Sequence, residues 1–204
     1  MEPITSLAEL EALYQPLPSL ASTAKEVDRI TPHYRSLIEH SPFVALATSG
    51  PGGLDCSPRG DAEAVVRVLD AKTLALPDRR GNNRIDSLRN ILTDPRVALL
   101  FLIPGSGTTF RVNGMAFITR DEAACASFVV EGKQPRAVII IKVETAYFQC
   151  ARAVIRAGLW DEARHVPPSA LPTSGDILEE ITAHDIDGKA YDDEWPGRAA
   201  KTMW

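Results

Sequence analysis

LALPDRRGNNRIDSLRNIL, Leu74 to Leu92, carries an apolar strand into a Gly/Asn turn loaded with arginines and then opens a helix. A helix start leaves backbone N–H groups without intrahelical partners and presents the positive end of the helix dipole. Arg79, Arg80 and Arg84 add fixed charge and forked donors to that start. A strand, a turn and a helix N-terminus in this order form a phosphate-type site, whose natural occupant is a small anion.

The segments around this stretch read as mainly β. From Phe43 short apolar runs alternate with turns: FVALAT, then SGPGG, then LDCSPRGDAEAVVRVLD, KTLALP, VALLFLI and TFRVNGMAFI. Gly50-Pro51-Gly52-Gly53 and Leu69-Asp70-Ala71-Lys72 are too short to carry a crossover helix, so the strands they join are antiparallel. The β-branched run AVIIIKV, Ala137 to Val143, adds a central strand.

Helices flank the strands. Ser6 and Glu9 have capping-box spacing ahead of Leu7, Leu10 and Leu13, and Ser22 to about His40 keeps helical spacing with a break near Thr31 at Pro32. Both are expected to cover the sheet. Further helices are predicted over Arg84–Leu92 with Asn83 as N-cap, over Arg120 to about Glu131 behind Thr119/Glu122, over Ala146 to about Leu159, and around Ile177–Ile181. In the first of these, Ile85, Leu88, Ile91 and Leu92 form a stripe expected to face the core. The closing stretch Asp185–Trp204 is acidic but carries Tyr191, Trp195 and Trp204, so it is expected to dock.

Composition excludes several classes. At 204 residues, 45% hydrophobic and 24% charged, the chain can bury one core. A net charge of -5 argues against a nucleic-acid partner. The three separated cysteines form no CxxC pair, no apolar run reaches about 18 residues, and the N-terminus lacks a basic region followed by an apolar one. A cytoplasmic protein with no membrane partner is expected. His33, His40, His165 and His184 lack metal-ligand spacing, the acids Asp192 to Glu194 read as solvated, and Cys150 reads as a helix filler beside Arg152 and Arg156.

SPRGD (57–61), LPDRRGNNRIDSL (76–88), TDPRVALLF (93–101), FRVNGMA (110–116) and CARAVIRAGLW (150–160) together resemble the pyridoxamine 5'-phosphate oxidase-like family, in a branch of probable FMN-dependent enzymes of undefined substrate. The resemblance spans about Phe43 to Trp160. It implies a six-stranded antiparallel Greek-key split β-barrel with flanking helices, a single FMN-binding domain over 1–204. Within it, 1–41 would hold N-terminal helices, 43–148 the barrel and 149–204 a helical extension. It implies a homodimer with FMN in clefts at the subunit interface, acting on a small-molecule substrate.

By the same resemblance, Arg59, Arg84 and Ser87 hold the flavin phosphate, while Asp78, Arg79, Asn82 and Asn83 run beside the ribityl chain or phosphate. Thr109 and Arg111 approach the ring, often from the other subunit, and Trp160 and Trp195 are candidates for its apolar wall. Two departures point away from vitamin B6 oxidation: no lysine follows the strand arginine in SPRGDAEA, and no C-terminal Arg-x-His occurs. Two function classes follow. The favoured one is an FMN-dependent oxidoreductase passing hydride between a small organic substrate and flavin N5. The alternative is a non-catalytic flavin-binding or haem-binding, haem-handling module, although no histidine lies between Phe43 and Val143.

Overall fold

A computed structural model describes residues 1–204. Its strands are β1 (Phe43–Gly50), β2 (Gly53–Gly60), β3 (Arg67–Asp70), β4 (Thr73–Pro77), β5 (Arg96–Leu102), β6 (Thr109–Thr119) and β7 (Val138–Gln149). Its helices are α1 (Leu7–Leu13), α2 (Leu20–Thr23), α3 (Pro32–Glu39), α4 (Asp86–Thr93), α5 (Glu122–Ala126), α6 (Arg152–Ala157), α7 (Ser174–Ile181) and α8 (Gly188–Thr202). All strands join one antiparallel sheet in the order β2-β1-β5-β6-β7-β4-β3.

The sheet has seven strands where six were expected, and it is not closed. The run LDCSPRGDAEAVVRVLD divides because Asp61 to Val66 turns away from β1: Asp61 N–H donates to Pro42 O and Val65 N–H to Ser41 O. That connection links the two edge strands, β2 and β3, with six residues that reach at most about 25 Å. The sheet therefore curls until its edges approach, and Val65 and Val66 plug the gap at 1% exposure each.

The interior holds Leu46, Leu74, Leu76, Leu99, Ile139 and Ile141, all fully enclosed, with the Phe110 ring tilted against those of Tyr34 and Phe101 at centroid distances of 4.8 and 5.7 Å. Burial raises the Tyr34 phenol above its ordinary pKa, and its hydroxyl donates to Lys25 O at 2.6 Å. A smaller cluster of Ala75, Cys125, Phe128, Val138 and Ile140 occupies the opposite face of β4 and β7. Buried on both faces, these two strands read as unbroken apolar runs instead of alternating ones. Across β1 and β5, by contrast, alternate residues turn outward, and on that outer face Leu100 stays 38% exposed.

Several predicted boundaries move. Asn83 and Ile85 take left-handed conformations, φ 62° and 56°, so α4 begins at Asp86 with Ile85 as its N-cap; Ile85 and Leu92 face solvent, leaving Leu88 and Ile91 inward. Strand β7 continues to Gln149 because Ala146, Tyr147 and Phe148 pair with Val112, Arg111 and Phe110, which confines the following helix to α6. Cys150 lies exposed between them. The Arg120–Glu131 helix shrinks to α5, capped by Asp121. Only α3, capped by Thr31, survives from the second N-terminal prediction as a packed helix. The first helix, α1, forms behind Ser6 but buries nothing, so it covers no sheet within the protomer.

Candidate functional site

The site grows from the pairing of β2 with β1. Side chains alternate along a strand, so Asp55, Ser57 and Arg59 share one face. Helix α4 lands against that face. Asn90 donates from Nδ2 to Thr48 Oγ1 at 3.1 Å, and its side chain fills the space that any Cβ on Gly50 would need.

This seating brings Ser87, 2% exposed, onto the three β2 residues. Its hydroxyl donates to Asp55 Oδ2 at 2.6 Å and accepts from Arg59 Nη2 at 3.1 Å. The single Ser87 hydrogen is thereby spent, so Ser57, 2.9 Å away, is the donor of their mutual bond. Arg59 Nη1 pairs with Asp78 Oδ1 at 3.0 Å. Its Nε–H is buried with no acceptor. An unsatisfied buried donor costs about 1–3 kcal/mol, so this guanidinium retains an unspent demand for an oxygen.

These residues open on a cavity of about 1080 Å³. Arg79 lies on its rim but is largely committed: Nε and Nη2 donate to Asp61 Oδ2 at 2.9 and 2.6 Å, and Nη1 donates to Phe128 O at 2.6 Å. The Trp204 ring lies 5.7 Å from the Arg79 guanidinium and lines the same cavity. Arg84 extends into solvent, 75% exposed, with Nε on Asp86 Oδ2 at 2.7 Å, a contact that raises its pKa. Asn82 Oδ1 accepts the Arg84 N–H at 3.1 Å and Asn83 Oδ1 accepts from Arg136 at 3.2 Å, which holds the loop in its left-handed turns.

Seven of the nine residues named from sequence therefore line one cavity: Arg59, Asp78, Arg79, Asn82, Asn83, Arg84 and Ser87. Of the three assigned to a phosphate, Arg59 and Ser87 touch, while Arg84 turns outward. Thr109 and Arg111 lie elsewhere, on the outer sheet face, with the Arg111 guanidinium 5.1 Å from the Tyr147 ring. Trp160 donates to Ser106 O and Trp195 sits half-exposed on α8; neither lines the cavity.

Sequence reading missed Asp55 and Ser57, though their two-residue spacing from Arg59 carried the signal. It also missed Arg120, Lys133 and Arg136 and the buried Cys125, which reach the cavity from the β6–β7 connection. No set of three or more His, Cys, Asp or Glu side chains is arranged to hold a metal ion, and no helix is long and apolar enough to cross a membrane.

Residues 30–150 match the family model described as pyridoxamine 5'-phosphate oxidase. The chain belongs to that family. The matched region runs from the end of the α2–α3 connection through Cys150, so this pyridoxamine 5'-phosphate oxidase family member holds the whole sheet and most of the cavity within it. No curated protein matches the chain.

Solved structures similar to it include HupZ of Group A Streptococcus, 23% identical over 59% of this chain and 99% of that one, TM-score 0.49. General stress protein 26 of Bacillus anthracis is 18% identical over 55% and 88%, TM-score 0.42. An FMN-binding protein of Syntrophomonas wolfei is 13% identical over 56% and 82%, TM-score 0.43.

Proposed function

We propose that this protein binds FMN in the cavity between β2, the Asp78–Ser87 loop and the β6–β7 connection, and acts as an FMN-dependent oxidoreductase on a small organic substrate. The observation that carries this reading is the pairing of Arg59 with Ser87 at the start of α4, where a buried guanidinium N–H lacks an acceptor. A phosphate would meet this guanidinium at the part left open to the cavity, where the Arg59 side chain keeps 20% of its exposure. Asp78 orients Arg59 for this role, and Asp55 fixes the Ser87 hydroxyl. Seven basic side chains against four acidic ones around the cavity favour an anion.

Ile85, Leu88 and Trp204 supply apolar lining against which a planar ring can lie. Bound FMN would supply the hydride chemistry at N5, while the protein supplies binding, orientation and electrostatics. The reading treats residues 1–204 as a single cytoplasmic FMN-binding domain that assembles as a homodimer. The outward face of β1, β5 and β6, with Leu100, Thr109 and Arg111, supports assembly through that face and would carry the two polar residues toward a partner's cavity.

FMN titration followed by flavin fluorescence tests the proposal. Native protein should retain flavin through gel filtration, and Arg59→Ala should weaken FMN roughly 10- to 100-fold while remaining folded. Equal affinity in Arg59→Ala would overturn the phosphate assignment. A Soret band with haem and no retained flavin would overturn the cofactor.

A further inference from the structure

Of the residues that line the cavity, Trp204 alone comes from outside the matched region 30–150. It follows α8, so one part of the cavity wall belongs to the C-terminal helical hairpin and the rest to the sheet and its loops.

Within itself the hairpin is well tied. Gly175 N–H donates to Asp192 Oδ1 at 2.9 Å, and Thr173 with Asp176 closes the start of α7. Arg198 lies 4.1 Å over the Tyr191 ring and donates from Nη2 to Tyr191 O at 2.8 Å. Towards the rest of the protein it is not tied in this way: no hydrogen bond or ion pair joins residues 166–204 to residues 1–165. An element held together internally, with few bonds outward, moves as a unit when it moves.

The chain leading to it supplies the hinge. Trp160 Nε1 donates to Ser106 O at 2.7 Å and fixes the near side, and Arg164 is tied back to Arg156 O. Residues 165–172, HVPPSALP, follow with every one exposed. Three prolines stiffen this strap and remove backbone N–H donors that could bond it to the sheet, so bending falls at its ends.

The tie between hairpin and cavity is the Trp204 ring, over which the Arg79 guanidinium sits 5.7 Å from the centroid. Arg79 cannot follow a departing ring, because its Nε, Nη1 and Nη2 are held by Asp61 and by Phe128 O. A single cation–π contact is weak enough to break and re-form during lid motion.

We propose that α7–α8 is a hinged lid, latched by Trp204 on Arg79, which lifts to admit ligand to the cavity and closes behind it. The inference rests on the reading above for FMN as that ligand. The lid sets how fast the cofactor enters and leaves, a role separate from the phosphate contacts of Arg59 and Ser87.

The test mixes FMN with full-length protein in stopped flow and follows flavin fluorescence. Trp204→Ala should accelerate both association and dissociation by about threefold or more, since an unlatched lid stands open for more of the time. Trp204→Phe keeps a ring for Arg79 and should bring both rates back to within about twofold of native. Amide exchange in α7 and α8 of Trp204→Ala should match native protein, because the hairpin moves without melting.

Faster dissociation with unchanged association would make Trp204 a fixed wall, and overturns the lid. So do unchanged rates, slower association, or exchange that rises throughout α7 and α8. If native protein retains no FMN, the cofactor reading fails on its own, and the lid is judged without ligand. With Trp160→Phe and Trp195→Phe leaving Trp204 as the one tryptophan, Arg79→Gln should raise acrylamide quenching of its fluorescence about twofold or more. Unchanged quenching overturns the latch.

Discussion

The two ends of the chain are both helical, yet only one is anchored. Residues 1–24 carry Leu7, Leu10, Leu13, Leu17 and Leu20, every one at least 41% exposed, and no residue of α1 or α2 is buried. Residues 173–204 are poorer in large apolar side chains and more acidic, but they form a packed pair. Gly175 and Gly188 meet backbone to backbone, Asp192 Oδ1 accepts the Gly175 N–H at 2.9 Å, and Thr173 with Asp176 closes a capping box on α7. The α8 helix runs through Pro196, and the chain beyond it brings Trp204 to the cavity. Apolar content alone does not decide which appendage has a place; close backbone fit and satisfied polar groups do.

Gly175→Val should break this contrast most severely, because its Cβ would collide with the Gly188 carbonyl oxygen and the Asp192 carboxylate. Overpacking costs of about 1–3 kcal/mol should separate α7 from α8, seen as increased proteolysis after residue 170 and altered Trp195 and Trp204 fluorescence. The sheet should melt at its native temperature.

Thr173→Ala should cost about 1 kcal/mol through loss of the cap, read as earlier urea-induced loss of α7–α8 helicity. The same cap has a pH signature. The backbone N–H and side chain of Thr173 hold Asp176 below its ordinary 3.8. A folded-state pKa lowered in this way contributes stability that is fully present above the unfolded value and is lost as pH falls through the folded one. Asp176→Asn should therefore flatten the dependence of α7–α8 helicity on pH below about 4, the unfolded carboxylate range.

The smallest effect belongs to the other end. Removing residues 1–24 should change unfolding free energy by no more than about 0.5 kcal/mol in dilute protein, since these side chains cover nothing in the protomer. A larger loss that grows with protein concentration would show that a second copy covers the arm, and would erase the contrast.

Most strands were legible because hairpins announce themselves: Gly50–Gly53 and Asp70–Thr73 allow only tight returns, and the runs between them alternate or stay apolar. The helix boundaries were less so. Nothing local in ALPDRRGNNRIDS marks Ile85, a β-branched residue, for a left-handed conformation, which is why α4 starts at Asp86 and not at Arg84. Ala146–Gln149 was drawn into a helix because local spacing does not record that Thr109–Val112 of β6 lies alongside it.

The site divided the same way. Arg59 and Ser87 sit on elements whose order was readable, and their contact follows from α4 landing on β1 and β2. Arg120 and Arg136 reach the cavity because Cys125 and Phe128 pack on the outer side of β4 and β7, a tertiary event with no local signature.

Cys125, enclosed at 4% exposure in the cavity wall, turns that packing into a built-in reporter. Of the other two thiols, Cys150 is open to solvent beside α6, and Cys56 lies on the strand face opposite Arg59. A colorimetric thiol reagent should therefore register two prompt equivalents and one delayed one. Slower modification of Cys125 would time occupancy of the cavity, slower modification of Cys56 would time association through the open sheet face, and Cys150 would serve as the clock against which both are read.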